Sequence, residues 1–233
     1  MIKSNFGKKA LELHKKLGGK IEVSLKAPIR SPEDLKLFYT PGVGSVASHL
    51  AKHPKDLRKM TIKGNTILVI SDGSAVLGLG NIGPEGALPV MEGKAMIFKQ
   101  FAGINAYPIV LGTQDSDEIV KTICHLSPGF GGINLEDISA PRCFDIENRL
   151  IEALEIPVMH DDQHGTAIVV LAGLINAFKA AGKNLPLAKI VILGAGAAGT
   201  AVAKILKTAG VKEIIVVDRK GVITAGRKDL NIY

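Results

Sequence analysis

An apolar run followed at once by closely spaced glycines constrains the fold of this chain more than any other feature. Residues 189–193 (KIVIL) predict a buried strand, and Gly194-x-Gly196-x-x-Gly199 follows it and opens a helix. Gly194 permits the tight turn, Gly196 lets the backbone approach a pyrophosphate, and Gly199 lets the helix pack closely on the strand. We therefore predict a Rossmann-type domain whose helix N-terminus binds the phosphates of NAD. The expected contacts are Gly194, Ala195, Gly196, Ala197, Ala198 and Gly199.

An acidic residue about 20 positions further along is expected to bind the ribose hydroxyls of the nucleotide. Asp218 lies 24 residues after Gly194, at the end of a second apolar run, and fits this role. An acid at this position repels a 2′-phosphate, which favours NAD over NADP. Arg219 and Lys220 follow directly and can neutralise such a phosphate, so NADP stays an alternative.

Apolar strand runs alternate with helical repeats along the chain, which indicates an α/β fold with a mainly parallel sheet. We expect an N-terminal α/β domain over residues 1–162 and a Rossmann nucleotide-binding domain over residues 163–233. A doubly wound nucleotide domain needs about six strands, and two are predicted before Tyr233. This domain is therefore expected to be incomplete, the chain to be a truncated product, and the second strand to present a bare sheet edge.

Local patterns predict the individual elements. Helices are expected at residues 5–18, 32–39, 43–52, 89–102, 116–126, 143–154, 166–181 and 198–209. Strands are expected at residues 21–25, 66–71, 106–111, 132–135, 158–160, 189–193 and 213–218. Ser31 is a predicted N-cap, with Pro32 as the first helical residue. The glycine-rich loop at residues 78–86 is expected to form either a wall of the active site or a tightly packed structural turn.

Two adjacent pairs of carboxylates lie between the glycine-rich stretches. Glu136-Asp137 and Asp161-Asp162 each follow a short apolar run, so both pairs are expected to emerge at strand ends. Clustered carboxylates repel one another unless a cation lies between them, and oxygen ligands suit Mg²⁺ or Mn²⁺. Taken singly, either pair is more simply explained as a helix cap or part of a surface loop.

Composition favours some partners over others. The 233 residues carry a net charge of +7, but the basic residues are scattered and there is no Trp. This pattern disfavours nucleic-acid binding and suits anionic small molecules such as dicarboxylates and dinucleotides. The apolar segments are interrupted by polar residues, so no membrane association is expected. Cys124 and Cys143 form no CxxC pair and the N-terminus lacks a secretory leader, so free thiols and a cytoplasmic location are expected.

Four further motifs occur along the chain, at residues 39–44 (YTPGVG), 72–80 (DGSAVLGLG), 134–137 (NLED) and 161–167 (DDQHGTA). In this order, and followed by the nucleotide fingerprint, they resemble the motifs of the malic enzymes in their short prokaryotic form. The resemblance extends from about residue 20 to the end of the chain.

The resemblance implies oxidative decarboxylation of (S)-malate to pyruvate and CO₂, with reduction of NAD(P)⁺ and a requirement for Mg²⁺ or Mn²⁺. The expected metal ligands are Glu136, Asp137 and Asp162. By motif, Lys94 matches the general base and Asp161 interacts with it, while Tyr39 matches the acid that protonates the enolpyruvate carbon. Thr166 is expected to contact the nucleotide, and the chain is expected to form a homodimer.

The chemistry places demands on these side chains. As a base Lys94 must be neutral, and burial with a nearby cation is expected to lower its pKa while Asp161 opposes that shift. Tyr39 suits proton delivery to carbon if a cationic group lowers its pKa. The structural alternatives are a solvated helix lysine at position 94 and a packed turn aromatic at position 39. His160 and His164 have a zinc-like spacing, but beside so many carboxylates we expect supporting or packing roles.

One position departs from the family pattern. Ala75 stands where the large eukaryotic malic enzymes carry an arginine for a substrate carboxylate, so backbone amides of residues 73–75 or of the 78–86 loop are expected instead.

Two alternatives to oxidative decarboxylation stay open. They are malolactic conversion to lactate with NAD retained, and an impaired fragment that only binds metal, nucleotide or a partner. Decarboxylation of oxaloacetate is an expected side activity. Full turnover is expected only if another chain completes the site.

Overall fold

The computed structural model describes residues 5–230, which form two sheets flanked by helices. The strands are β1 (Thr66–Ser71), β2 (Asn105–Val110), β3 (Ile133–Leu135), β4 (Val158–His160), β5 (Lys189–Leu193), β6 (Glu213–Asp218) and β7 (Gly221–Val222). The α-helices are α1 (Asn5–Leu17), α2 (Pro32–Phe38), α3 (Gly42–Lys52), α4 (Leu57–Met60), α5 (Gly83–Ala102), α6 (Ser116–Leu126), α7 (Arg142–Ala153), α8 (Asp161–Ala180) and α9 (Ala197–Thr208). Single 3₁₀ turns lie at Pro54–Asp56, Ile62–Gly64, Ser127–Gly129 and Leu185–Leu187.

The first sheet has the strand order β2-β1-β3-β4, and every strand pair in it is parallel. Ile70 of β1 lies beside Leu135 of β3, which in turn lies beside His160 of β4. The carboxyl ends of these three strands therefore reach the same edge of the sheet. In open parallel sheets, ligands bind outside this edge.

Helices cover both faces of the first sheet. One face packs against α6 and α7, and the buried side chains of this core include Leu68, Ile70, Ile119, Ile123, Ile133, Leu135, Cys143, Ile146 and Leu150. Helix α5 packs against β1 and β2 and buries Ala87, Met91 and Ala95. Successive strand residues point to opposite faces, so the fully buried Val69 lies on the other side from Leu68. Cover on both faces explains why β1 is apolar along most of its length.

The second sheet carries its own smaller core. Strands β5 and β6 pair in parallel, and β7 adds to β6 in the antiparallel direction. The buried side chains of this core are Ala167, Leu185, Ala188, Ala201, Val202, Leu206 and Val211. Helix α8 starts at the end of β4, contributes Ala167 to this core and packs along α9. One helix therefore connects the edge of the first sheet with the second core.

The predicted α/β class and mainly parallel sheet are confirmed. Strands β1, β4, β5 and β6 and helix α6 have the predicted bounds. Ser31 is the N-cap of α2: its Oγ accepts a hydrogen bond from the N–H of Asp34, and the Asp34 carboxylate accepts the N–H of Ser31, both at 3.1 Å. This reciprocal pair is a capping box, which fixes the start of the helix.

The strand predicted at residues 21–25 is wrong. This segment has no regular structure, and Val23 and Leu25 are 78% and 77% exposed. A strand requires a neighbour for its backbone hydrogen bonds, and none of the described strands lies beside this segment. Alternation of polar and apolar residues is therefore not enough by itself to form a strand in this segment.

Two helices, α5 and α8, begin more than a turn earlier than predicted. Helix α5 starts at Gly83 rather than Pro89, because Pro84 occupies the first turn, where a missing N–H costs nothing. Helix α8 starts at Asp161 rather than at Thr166. The apolar pattern of this helix begins only after its first turn, so the pattern placed the start too late. The first turn carries two acids instead, which the positive end of the helix dipole stabilises.

The expected bare edge at the second nucleotide-domain strand is covered in part. Strand β7 pairs with the end of β6 through Val217 and Asp218, and the start of β6 has no described strand on that side. One face of β5 is also uncovered: Val191 and Leu193, which point to the same face, are 57% and 83% exposed. Within residues 5–230, none of the helices combines the length and apolarity needed to cross a membrane.

Replacement of a core side chain in β1 is expected to destabilise the chain strongly. Ile70 is fully buried, so Ile70→Ala should lower the free energy of unfolding by about 2–5 kcal/mol through lost burial and a residual cavity. Urea denaturation followed by circular dichroism measures the change. Ile175→Ala, on the exposed face of α8, is the matched control, with an expected loss below about 1 kcal/mol. Equal losses in the two variants would contradict the assigned core.

Candidate active site

Five charged side chains meet at the carboxyl edge of the first sheet. They are Lys94, Glu136, Asp137, Asp161 and Asp162. The lysine comes from α5, the first acid pair directly follows β3, and the second pair forms the first turn of α8. The two acid pairs thus emerge at adjacent strand ends, as predicted, and the register of β3 against β4 brings them together.

Lys94 bridges the two acid pairs. Its Nζ lies 2.6 Å from Oδ2 of Asp161 and 3.1 Å from Oε1 of Glu136, and its side chain is 22% exposed. Burial lowers the pKa of Lys94, but the two carboxylates outweigh burial, and the net shift is upward. The solvated-lysine alternative is therefore wrong. Burial and Asp161 thus act on this pKa in the expected directions, Glu136 adds a further upward contribution, and the expected lowering by a nearby cation stays a prediction.

Three of the carboxylates form a group suited to a hard cation. Glu136, Asp137 and Asp162 each offer an oxygen, and these three atoms lie within 4.8 Å of one another. Oδ2 of Asp162 accepts the backbone N–H of Asp137 at 3.0 Å. Oδ2 of Asp137 is buried without a hydrogen-bond partner. A set of oxygen donors with one buried, unpaired member fits a divalent ion such as Mg²⁺ or Mn²⁺.

Burial and mutual repulsion raise the pKa values of two members of this group. Burial raises the pKa of Glu136 to about 7, although Lys94 opposes the shift. Burial, reinforced by the charge of Asp162, raises the pKa of Asp137 to about 6. Perturbed carboxyl groups of this kind are typical of functional sites, because protein structure alone does not compensate their charges.

The backbone around the acids is strained. Asp137 has a φ of 55° and Leu77 a φ of 49°, a region that residues with side chains seldom adopt. The carbonyl of Asp137 accepts the N–H of Ala75 at 2.9 Å, which ties the strained residue to the turn after β1. Such conformations persist only where surrounding contacts hold them, and they cluster at active sites.

Arg142 supplies part of this support. Its Nη2 donates to Oδ2 of the fully buried Asp72 at 2.8 Å, to Oγ of Ser74 at 3.0 Å and to Oγ of Ser139 at 3.2 Å. The Ser74 Oγ also accepts the N–H of Ser139 at 2.9 Å. One guanidinium therefore joins the turn after β1 to the loop that carries Asp137.

Glu147 supports the second acid pair in the same way. This buried carboxylate of α7 accepts the N–H of His160 at 2.7 Å and the side-chain amide of Gln163 at 3.0 Å. Its Oε1 also lies 2.8 Å from Nε2 of His164. Three groups from the start of α8 thus converge on one acid, which fixes the turn that carries Asp161.

The two histidines lie around the carboxylate group without belonging to it. His160 is fully buried, and its Nε2 lies 3.5 Å from Oδ2 of Asp162. Burial lowers the pKa of His160 despite the nearby acid, so the ring is held neutral. His164 is exposed and pairs with Glu147. Among the described residues, the ligand group contains only carboxylates, which agrees with supporting roles for both rings.

Sequence reasoning missed Glu147 and Arg142 as parts of the site. A signal for Glu147 was present: it lies on the apolar face of α7, in helical register with Cys143, Ile146 and Leu150. A lone acid in a buried row requires hydrogen-bond donors from another element. Arg142 gave no such signal, because it follows Pro141 at a helix start, where a basic residue has no distinctive pattern.

The turn between β5 and α9 has the geometry of a phosphate-binding loop. A side chain at Gly199 would overlap the carbonyl oxygen of Gly194, so only glycine permits this close packing of helix on strand. A side chain at Gly196 would instead point into open space. That space is a cleft lined by the loop and also by Asp162. Asp162, one member of the carboxylate group, therefore lines the same cleft as the fingerprint residues, which fits a nucleotide beside a cation.

Three other predicted site residues lie outside the charged cluster. Tyr39 follows α2, is 66% exposed, and its hydroxyl forms no hydrogen bond with any described residue. Thr166 is half-buried, one turn after Asp162 on α8. Asp218 ends β6, where both of its carboxylate oxygens accept hydrogen bonds from Arg227. The roles assigned to these three residues stay predictions.

Comparison with known proteins decides the family. The sequence profile of the malic enzyme N-terminal domain matches residues 18–151, and that of the malic enzyme NAD-binding domain matches residues 163–233. The chain belongs to the malic enzyme family. The resemblance carried by the four motifs and the glycine fingerprint is thereby confirmed.

Relatives of both cofactor types are similar to this chain. An NAD-dependent malic enzyme of Geobacillus stearothermophilus is 58% identical over 207 residues, which are 89% of this chain and 43% of that protein. An NADP-dependent malic enzyme of Halomonas elongata is 49% identical, over 96% of this chain and 54% of that protein. The crystal structure of an NAD-dependent malic enzyme from Thermotoga maritima has a TM-score of 0.90 and 52% identity, over 93% of this chain and 58% of that chain. The chain spans about half the length of the curated relatives it matches.

The raised pKa of Glu136 predicts a specific dependence of stability on pH. Its folded-state pKa of about 7 lies above the ordinary value of 4.5, so the folded state binds the proton more tightly. This contribution is fully present below about pH 4.5 and is lost as the pH rises through 7. Relative to the parent chain, Glu136→Gln should therefore gain roughly 3 kcal/mol of unfolding free energy between pH 4.5 and 8.

Urea denaturation in the presence of EDTA, at pH 4.5 and at pH 8, measures this difference. Glu152→Gln, on the exposed surface of α7, is the matched control, because it removes a carboxylate that is not part of the site. A difference between parent and Glu136→Gln that stays constant with pH would contradict the assigned environment.

Proposed function

We propose that this chain carries the metal, lysine and dinucleotide sites of an enzyme that oxidatively decarboxylates (S)-malate to pyruvate and CO₂ with NAD(P)⁺. One observation carries the proposal. Lys94 joins the two acid pairs through contacts of 2.6 and 3.1 Å, and Asp162 of the carboxylate group lines the same cleft as the glycine loop. Base, cation ligands and nucleotide loop are then within reach of one small substrate.

The divalent cation, Mg²⁺ or Mn²⁺, is held by Glu136, Asp137 and Asp162. When bound, it supplies Lewis-acid polarisation of the substrate oxygen at C2. The protein's part is to hold the three carboxylates in place before the ion arrives, through the strained backbone at Asp137 and its bond to Asp162. The upward pKa shifts of Glu136 and Asp137 support the assignment, because burial penalises the charged carboxylates and a bound cation would offset that penalty.

The dinucleotide, NAD with NADP as the alternative, binds along residues 194–199. When bound, its nicotinamide supplies the hydride acceptor. The N–H groups at the start of α9 bind the pyrophosphate, and Asp218 binds the ribose at the end of β6. Thr166 contacts the nucleotide from α8, one turn after Asp162.

Lys94 takes the proton of the C2 hydroxyl through its Nζ, and Asp161 orients the amine. In the structure Asp161 and Glu136 raise the pKa of this lysine, which favours the ammonium. Compensation of the charge on Glu136 removes one of these interactions and lets the amine lose its proton. Lys94 is therefore a base whose protonation depends on the state of the carboxylate group beside it.

Tyr39 protonates the enolpyruvate carbon after CO₂ leaves. Its exposed position at the end of α2 keeps the hydroxyl available rather than committed to another partner. The substrate carboxylates are bound by backbone amides of the loop at residues 78–86, because Ala75 supplies no charge. The turn at residues 73–75, the other expected source, is not available: its three N–H groups already donate to the Ser71 hydroxyl, the Asp72 carboxylate and the Asp137 carbonyl.

The chain divides into a catalytic domain over residues 1–162 and a nucleotide-binding domain over residues 163–233. Two separate buried cores support this division. The enzyme acts in the cytoplasm, which its two free thiols, Cys124 and Cys143, support, since free cysteines are typical of reducing compartments.

The enzyme is a homodimer. Support comes from apolar side chains that the described residues leave exposed in the N-terminal helices and on the outer face of α5, including Phe6, Leu11, Leu37, Phe38, Met96, Ile97 and Phe101. Phe101 is 82% exposed and Ile97 is 52% exposed on one helix. Apolar patches of this kind mark interfaces more often than free surface.

Mutation of a proposed metal ligand tests the central assignment. Asp162→Asn should weaken Mn²⁺ binding by roughly tenfold or more, because one anionic ligand of three is lost. Isothermal titration calorimetry with Mn²⁺ measures the affinity directly. Asp117→Asn, an 84% exposed acid on α6, is the matched control and should bind Mn²⁺ as the parent does. Unchanged Mn²⁺ affinity in Asp162→Asn would refute the site.

The reaction itself is followed by NADH absorbance with malate and Mn²⁺. Net release of NADH and pyruvate supports oxidative decarboxylation, whereas lactate without net NADH supports the malolactic alternative. Asp162→Asn should abolish either activity. Malate oxidation that persists in Asp162→Asn without Mn²⁺ would contradict the proposed chemistry.

Introduction of a charge among the exposed apolar side chains of α5 tests whether the chain dimerises through them. Phe101→Glu should shift the chain from dimer to monomer in sedimentation velocity, because burial of a carboxylate in an apolar interface is costly. Gln100→Glu, which adds the same charge to the neighbouring exposed position, is the control and should stay dimeric. A parent chain that sediments as a monomer would refute the dimer itself.

A further inference from the structure

The acid that ends β6 is held by an arginine. Both carboxylate oxygens of Asp218 accept hydrogen bonds from Arg227, at 2.9 Å from Nη1 and 2.7 Å from Nη2. The side chains are 27% and 16% exposed, so this two-point pair is partly shielded from solvent. Paired bonds between guanidinium and carboxylate are among the strongest and most directional ion pairs.

A second acid fixes the arginine from the other side. Asp229 accepts Nε of Arg227 at 3.0 Å and Nη2 at 2.8 Å, and it also accepts Nζ of Lys220 at 2.8 Å. The N–H of Lys220 donates to Asp218 at 2.8 Å. The guanidinium is thus held between two carboxylates, at the point where the nucleotide ribose is proposed to bind.

The charge around this point is positive despite the two acids. Four cationic residues, Arg219, Lys220, Arg227 and Lys228, accompany the two anionic residues Asp218 and Asp229, which leaves a net charge of +2. An acid alone at the end of this strand selects ribose hydroxyls and repels a 2′-phosphate. With its charge compensated, the same acid loses most of that repulsion.

Loss of Arg227 would expose the charge of Asp218. The hydrogen bonds of the arginine hold the pKa of Asp218 below the ordinary value, and that ordinary value is itself far below neutral pH, so the acid is ionised with or without its partner. Without the arginine, a full negative charge would therefore face the ribose. The N–H groups of the arginine are all engaged: those of Nε and Nη2 donate to Asp229, those of Nη1 and Nη2 to Asp218, and Nη1 also to the carbonyl of Gly221. The arginine therefore acts on the nucleotide through the charge of Asp218 that it compensates.

We propose that Arg227 determines nucleotide specificity by compensating the charge of Asp218, so that the site accepts NADP as well as NAD. This inference rests on the proposed function, since it requires a dinucleotide at residues 194–199. It assigns the choice of cofactor to a residue beyond the strand end, not to Arg219 or Lys220, which directly follow the acid in sequence.

The adenosine half of the cofactor is the appropriate probe, because β5, α9 and β6 form the half of a Rossmann domain that binds it. Isothermal titration calorimetry compares ADP with 2′,5′-ADP on the full chain. The parent should bind both, with dissociation constants within about tenfold of each other. Arg227→Gln should weaken 2′,5′-ADP by roughly tenfold or more and ADP by less than about threefold, because the uncompensated charge of Asp218 repels the 2′-phosphate.

Two further variants distinguish a change in nucleotide specificity from damage to the fold. Lys228→Gln removes the same charge one residue away, at an exposed side chain without contact to Asp218, and should leave both affinities near the parent values. Asp218→Asn combined with Arg227→Gln should recover part of the 2′,5′-ADP affinity, because the exposed negative charge is gone. A misfolded site would not recover in this way.

The outcomes distinguish this inference from the function on which it rests. If ADP binds but Arg227→Gln weakens both probes equally, or the parent rejects 2′,5′-ADP, the specificity role is overturned and the nucleotide site stands. If the parent binds neither probe, the nucleotide site itself is overturned, and this inference falls with it.

Discussion

The ion pairs of Lys94 are the interaction on which the site depends. Four carboxylates converge at one sheet edge, and a single ammonium joins the two pairs, 2.6 Å from Asp161 and 3.1 Å from Glu136. Charges brought out of water are costly unless they are paired. The lysine compensates part of this charge, but burial still raises the pKa values of Glu136 and Asp137. A divalent ion would offset the cost of burying these acids in their ionised form, which explains why the site suits one.

Side chains that do not line the reaction site keep these charged groups in place. Parallel register brings the ends of β3 and β4 together, Arg142 fixes the loop after β3, and Glu147 fixes the start of α8. Each support uses a charged side chain of α7 to satisfy backbone or side-chain groups of a neighbouring loop. Preorganisation of this kind keeps like charges close together before a ligand arrives.

The sequence predicts those elements whose patterns are local. It fails where a contact with a distant part of the chain determines the structure. The glycine fingerprint, the capping box at Ser31 and the acid pairs each carry their own signal, and these features of the structure follow from it. The segment at residues 21–25 has strand-like alternation but no neighbour, so it stays irregular. The pairing of Arg227 with Asp218 and the role of Glu147 depend on tertiary contacts, which no local pattern specifies.

Helix α8 has a consequence for how the two halves of the chain respond to each other. Its 20 residues span about 30 Å, with Asp161 and Asp162 in the first turn and Ala167 already in the second core. A cation bound at the proposed site would order the first turn of this helix, and a rigid helix would carry that order to the surface on which the nucleotide sheet rests. The two sites would then be thermodynamically linked. By reciprocity, a nucleotide that tightens the second core would strengthen cation binding by the same factor.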